Sequence, residues 1–196
     1  MPRPSVEVER REQILRAACQ VIAETGIRAL RVADVAKRAG TSSGTVHYYF
    51  ATKRDLVHAA FVFNFEHSIA RRRPMLDSHH TPAQRLRAFV ESYLPDDAET
   101  VRAWRVWAEL WVEAIREPDL QEVNERVYGE WRRLVAGIVR DGQDHGVFRD
   151  GDAVQLANAL IAMIDGLAIQ VLLGSPSMTP QRMRAVCDGF LRDLED

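Results

Sequence analysis

Cysteine is scarce in this chain: Cys19 and Cys187 are the two in 196 residues. They lie far apart, and neither has cysteine or histidine neighbours at ligand spacing. A disulfide framework and a zinc site are therefore excluded, and both thiols read as reduced core groups on apolar helical stripes. Also lacking are a nucleophile elbow, a paired-histidine protease motif, a phosphate-binding glycine loop and a dinucleotide fingerprint. The segment Asp141–Asp152 has Gly146 at its centre, as a calcium loop would. Gln143, His145 and the terminal Asp152 replace the preferred oxygen ligands, however. The expectation is a protein that is not an enzyme and uses no cofactor and no metal.

Long apolar runs are missing as well. The most apolar stretch, residues 153–173, is interrupted by Gln155, Asn158, Asp165 and Gln170, a poor composition for a membrane span. Residues 1–13 are charged and contain no leader-like apolar segment. A cytoplasmic location with no membrane partner is expected.

What the chain has is an uneven distribution of charge. Residues 1–76 carry thirteen Lys and Arg against seven Asp and Glu, whereas residues 77–196 carry thirteen against twenty-one. A basic head on an acidic body suits a polyanion that touches the head alone.

Strand-like alternation is nearly absent and helical periodicity dominates, so the fold class is all-α with about nine helices. The first helix is expected over 8–25, its buried stripe formed by Ile14, Ala17, Ala18, Val21 and Ile22 and its end set by Gly26. A short helix carrying Val32, Val35, Ala36 and Ala39 stops at Gly40, and Ser42 caps a third that reaches Phe50. Thr52 and Asp55 form a capping box at the start of a longer helix expected to end before Pro74. Residues 74–81 read as a polar linker. Thr81-Pro82-Ala83-Gln84 starts the next helix. Helices follow over 98–116, 118–141 and 153–173, and Thr179-Pro180 opens the last. The chain divides accordingly into a head, residues 8–68, and a body, residues 74–196.

Within the head, Ala36, Gly40 and Val46 have the spacing of two tightly crossed helices: a small residue at the crossing, a glycine at the turn and an inward apolar group. The third helix then turns Ser43, Gly44, His47 and Tyr48 outward, a geometry suited to a DNA major groove. Ser43, Thr45, Tyr48 and Tyr49 supply hydroxyls. His47 can address a base edge, and Gly44 permits close backbone approach. Lys53 opens a helix and can hold a phosphate. Arg28 and Arg31 precede the second helix and can reach the DNA backbone or a groove.

The stretch Ala36-Lys37-Arg38-Ala39-Gly40-Thr41-Ser42-Ser43-Gly44-Thr45-Val46-His47-Tyr48-Tyr49-Phe50-Ala51-Thr52-Lys53-Arg54-Asp55-Leu56 closely resembles the signature of the TetR family of bacterial transcriptional repressors. The likeness covers residues 8 to about 68. More weakly, the tryptophan helix, Gly146-Val147-Phe148-Arg149 and Asp165-Gly166-Leu167 resemble the C-terminal domain of BetI-type members. The resemblance implies a helix-turn-helix DNA-binding domain, a C-terminal ligand-binding and dimerisation domain, and a homodimer on a palindromic operator released by a small-molecule effector. It implies base contacts near Ser43, Gly44 and His47, and phosphate contacts from Thr45, Tyr48, Tyr49 and Lys53. His47 stands where the family usually has an aromatic residue. The long helix beginning at Lys53 is implied to link cavity and head. Activators in the same family, and a helical interaction protein without DNA specificity, are the alternative readings.

The body contributes two further expectations. The helix over 153–173 is apolar nearly all round and the last helix has one strong stripe. Leu160, Ile164, Leu167, Val171, Met183, Val186, Phe190 and Leu194 are thus expected to pair with a second copy in a four-helix bundle, the alternative being a central helix fully buried within one protomer. Trp104, Trp107 and Trp111 share one helix face and read either as core or as a cavity wall. With Trp131, and with Glu109, Glu113 and Asp165 as acidic groups, they form a candidate pocket for an apolar or cationic small molecule.

Overall fold

The computed structural model describes residues 6–76 and 80–195. Among the described residues the chain forms nine helices and no strand: α1 (Val6–Ala29), α2 (Val32–Arg38), α3 (Ser43–Tyr49), α4 (Lys53–Leu76), α5 (Pro82–Tyr93), α6 (Ala98–Ala114), α7 (Pro118–Asp144), α8 (Ala153–Leu172) and α9 (Pro180–Glu195). The helices start where side chains can satisfy free backbone amides. Ser42 accepts from the Thr45 amide, Thr81 and Gln84 close a capping box, and Asp152 accepts from the amides of Val154 and Gln155. The Thr52 and Asp55 box is also formed, each residue accepting from the other's amide, at 3.1 and 3.0 Å.

Gly26 breaks the first helix where its end was expected, at φ 78° and ψ 164°, and α1 includes a short helical piece beyond it to Ala29. One boundary differs from expectation. Helix α4 does not stop before Pro74 but continues through it to Leu76. Proline there forfeits one backbone bond, to the carbonyl of residue 70, and the helix runs only two residues further. The expected linker over 74–81 therefore begins as helix. Its residues 77–79 lie outside the described part of the chain.

The chain falls into two units. One comprises residues up to Ser68 together with Arg105–Asn124; the other comprises Ile69–Trp104 and Glu125–Asp196. Helices α4, α6 and α7 thus each contribute residues to both.

In the first unit, α1 packs on α2 and α2 on α3. Ile14, Ile22, Val35, Val46, Leu56 and Phe61 are buried to 1% exposure or less, and each such side chain contributes about 1.5–3 kcal/mol. Polar ties fix the crossings. Gln13 donates to the Ala39 carbonyl at 2.9 Å, and Arg38 pairs with both carboxylate oxygens of Glu24.

In the second unit, α5, α8 and α9 pack on one another around Leu86, Leu160, Ile164, Met183, Cys187 and Leu191. Arg184 pairs with Glu91, and Arg87 with Glu195, joining α9 to α5 at both ends. The amide of Arg149 donates to the Leu194 carbonyl at 2.9 Å, and so the loop before α8 is fastened to the end of α9.

Candidate nucleic-acid interface and effector region

The turn between α2 and α3 is built around Gly40. Its φ of 62° lies in the left-handed region that glycine enters without steric cost. The Thr41 amide reaches back to the Ala36 carbonyl at 2.9 Å, closing the end of α2. Ala36 is buried at the crossing, and Val46 and Phe50 point inward, at 1% and 4% exposure. The opposite face of α3 is consequently presented to solvent. Ser43, Gly44, His47 and Tyr48 are all exposed, Tyr48 to 77%. Thr45 is half-buried, its hydroxyl 3.0 Å from that of Ser42, and Tyr49 meets Tyr48 edge-on with ring centres 5.2 Å apart. Arg31 stands exposed at the N-cap position of α2 and makes no side-chain capping bond. The nine residues expected at the DNA interface therefore all belong to the first unit, and six of them are exposed. Arg28 and Lys53 are already engaged within the protein. Lys53 donates from Nζ to the Arg28 carbonyl at 3.3 Å, and the Arg28 guanidinium lies 3.2 Å from Glu113.

The expected pocket residues divide between the units. In the second unit, Trp104 and Trp131 belong to an aromatic cluster with Phe89 and Tyr93. The Tyr93 ring meets Trp104 at 5.8 Å and Trp131 at 5.5 Å, both edge-to-face, and Phe89 meets Trp131 at 5.6 Å. The Trp104 indole donates to the Tyr93 carbonyl at 2.9 Å. Cation–π chemistry is already realised here: the buried Arg72 guanidinium sits 3.9 Å from the centre of the Tyr93 ring and donates to the Ser92 hydroxyl at 2.9 Å. The sequence reading missed Phe89, Tyr93 and Arg72, because only the packing of α4 and α7 beside α5 makes them neighbours of the tryptophans.

Asp165 lies on α8 in the same unit. Its Oδ2 is buried and takes no hydrogen bond among the described residues. Burial without a partner pushes its carboxyl up to about 7, because the charged form has lost water and gained nothing in return.

Trp107, Glu109, Trp111 and Glu113 belong to the first unit. Trp107 is core, and the Trp111 indole donates to Asn124 at 3.2 Å. Glu109 accepts from the Ile27 amide at 2.9 Å, while Glu113 holds Arg28. Both carboxylates thus grip the head. This role is invisible in sequence, where they lie more than eighty positions from their partners. A cleft of about 440 Å³ in this unit is lined by Ile27, Lys53, Val57, His58, Glu113 and Leu120 among others, and by none of the tryptophans.

The expected interface set also divides. Leu160, Ile164, Met183 and Leu194 are 0–2% exposed within the protomer and form its own core. Leu167, Val171 and Phe190 are half-buried and Val186 is exposed, so these four occupy the outer faces of α8 and α9. Helix α8 is long and apolar enough by length and composition to cross a membrane, yet only 28% of its most apolar window is buried in the protomer.

The chain matches two family descriptions. Residues 14–60 match the tetR family of bacterial regulatory proteins, and residues 82–195 match the C-terminal domain of BetI-type transcriptional repressors. The HTH-type transcriptional regulator BetI of Stenotrophomonas maltophilia is 32% identical over 97% of this chain and 95% of its own length. The BetI regulator of Serratia proteamaculans is 29% identical over 97% and 95%. Among solved structures, a transcriptional regulator from Saccharomonospora viridis in complex with choline superposes with a TM-score of 0.88 at 35% identity, covering 94% of this chain and 96% of that one. A TetR-family regulator from a Rhodococcus species superposes at 0.86 with 28% identity, covering 96% of this chain and all of that one. An exposed polar face on α3 and a body matched along its length lead to one conclusion: the chain belongs to the TetR family of DNA-binding transcriptional regulators, with the C-terminal domain of a BetI-type repressor.

Proposed function

We propose that the protein represses transcription as a homodimer on a palindromic operator and lets go when a small cation enters its C-terminal domain. Residues 8–68 serve as the DNA-binding domain and residues 74–196 as the effector and dimerisation domain. The observation that carries this reading is the two-sidedness of α3: Val46 and Phe50 are buried, while Ser43, Gly44, His47 and Tyr48 stand in solvent. Ser43, Gly44 and His47 address base edges. Thr45, Tyr48, Tyr49, Lys53, Arg28 and Arg31 address the backbone.

Dimerisation is supported by the outer apolar faces of α8 and α9, where Leu167, Val171, Val186 and Phe190 lie above the protomer's own core of Leu160, Ile164, Met183 and Leu194. A two-fold pair of reading helices would enter successive major grooves about 34–36 Å apart.

The effector reading rests on the aromatic cluster of Trp104 and Trp131, which already holds one cation, and on Asp165, a buried carboxylate with an open oxygen. The choline bound by the Saccharomonospora viridis regulator makes a quaternary ammonium the first compound to try. Such cations bind by aromatic contact and a nearby negative charge.

The test is an operator selected from random DNA by the full-length protein, titrated by fluorescence anisotropy with and without choline. Binding at one dimer per palindrome, with an affinity at least a thousandfold above random sequence and lowered by choline, supports the reading. A sedimenting monomer, or equal affinity for all sequences, rejects it. An anionic ligand as the sole releasing compound rejects the cationic effector.

A further inference from the structure

The break in α1 is held from a distance. At Gly26 the chain turns through φ 78°, and the next two residues are gripped by carboxylates one helical turn apart on α6. Glu109 accepts the Ile27 amide at 2.9 Å, and Glu113 pairs with Arg28 at 3.2 Å. The same short segment is touched from α4, where Lys53 donates to the Arg28 carbonyl. Close beside it, Arg54 of α4 pairs with Asp119 of α7. The segment is tightly fitted. A Cβ on Gly26 would stand 3.1 Å from Glu109 Oε2, in a backbone conformation that other residues rarely adopt.

Residues 26–31 run from the break in α1 to the start of α2, the first helix of the helix-turn-helix, with Arg31 at its N-cap position. Whatever fixes Ile27 therefore fixes the start of α2, and through the α2–α3 crossing it fixes the aim of the reading face. A carboxylate accepting a backbone amide makes a charge-assisted, directional bond, stronger than an exposed ion pair between flexible side chains. Of the two acidic groups, Glu109 thus carries the constraint and Glu113 supports it. Glu109 also lies little more than one turn beyond Trp104, on one uninterrupted helix. A small rotation or shift of α6 would accordingly be felt at the Ile27 amide.

We propose that Glu109 is the positioning residue through which α6 sets the orientation of the DNA-reading helices, by holding the Ile27 amide at the Gly26 break. The proposal deepens the repressor reading and rests on it. Glu109 is a transmission element and not a wall of the effector site.

The experiment compares full-length wild type, Glu109→Ala and Glu109→Gln by amide hydrogen exchange over residues 24–30 and by operator affinity with and without choline. In Glu109→Ala the Ile27 amide should exchange at least tenfold faster, with protection of residues 14–22 unchanged. The ratio of operator affinities with and without choline should fall by about tenfold, within the usual range of coupling between sites. Glu109→Gln keeps an acceptor without the charge, so its exchange should rise only about threefold and most of the choline response should survive. Wild-type exchange at Ile27 in Glu109→Ala overturns the proposal. So does faster exchange with an undiminished choline response. Should Glu109→Ala unfold, Glu109→Gln decides alone, and a wild-type rate at Ile27 overturns the proposal. If choline fails to release wild type, the effector reading falls, while the exchange comparison still judges the role of Glu109.

Discussion

Lys53 holds the carbonyl of Arg28 at 3.3 Å, so the lysine expected to grip a phosphate is parked, in the free protein, on the segment that follows the Gly26 break. On the proposed reading, binding DNA would exchange this single neutral acceptor for an anionic one. Lys53→Ala should therefore weaken operator and random DNA by a similar factor and lower the slope of log affinity against log salt by about 1. Anisotropy titrations at several salt concentrations check this. A variant that loses discrimination while keeping its affinity would contradict the phosphate role.

His47 offers the opposite signature. Its ring is exposed on α3, one turn beyond Ser43. His47→Ala should relax preference at a particular base pair in each half-site, costing about 1–3 kcal/mol of discrimination there, and leave affinity for random DNA near that of wild type. Selection from a random pool by both proteins reads this directly, and identical selected motifs would remove His47 from the base-reading set.

Asp165 should make the protein pH-dependent in an unusual direction. Its folded-state carboxyl titrates near 7, well above the usual carboxylate value of 3.8. Between about pH 4 and 7 the folded state consequently holds a proton that the unfolded chain has released. Stability supplied by this group is present at low pH and lost as pH rises through 7. Asp165→Asn should remove that slope and stabilise the protein at pH 8, visible in thermal unfolding across this range. If a cation pairs with Asp165, its affinity should climb with pH through about 7 and its binding should release a proton, neither of which the asparagine variant should show.

A packing prediction concerns the end of α7. A Cβ on Gly142 would fall 2.0 Å from Cδ2 of Phe148, a buried ring on the loop leading to α8. Gly142→Ala should displace that ring and cost about 1–3 kcal/mol. Chemical denaturation measures it, and an unchanged midpoint would show that the loop repacks freely.

The reading head was legible in the sequence because its determinants are local. Ala36, Gly40 and Val46 lie within eleven positions of one another, and Ser42, Thr52 and Thr81 announce helix starts through bonds only three residues long. Relationships over long sequence distances were not legible. Periodicity marked Leu160, Ile164, Met183 and Leu194 as apolar but could not tell a protomer's own core from a surface awaiting a second copy, and α8 is apolar on both sides. The tryptophan stripe of α6 grouped Trp104 with Trp107 and Trp111, yet the ring that meets Trp104 is Tyr93 from another helix, and Tyr93 in turn meets Trp131. Glu109 and Glu113 looked like free acids suited to a ligand cation because nothing nearby in the sequence pointed to Ile27 and Arg28. Pro74 suggested a helix end, and the helix outlasts it by only two residues, because the loss of one backbone bond stops a helix nearby without fixing its last residue.

The two thiols have a practical consequence. Cys19 is buried and donates to the Ala60 carbonyl, Cys187 has no exposure, and burial pushes them up to about 12 and 11. Thiolate, the form that attacks oxidants and maleimides, is therefore nearly missing at neutral pH. The native regulator should be redox-silent, and one cysteine introduced on an exposed helix should accept a fluorophore alone, without first replacing the native pair.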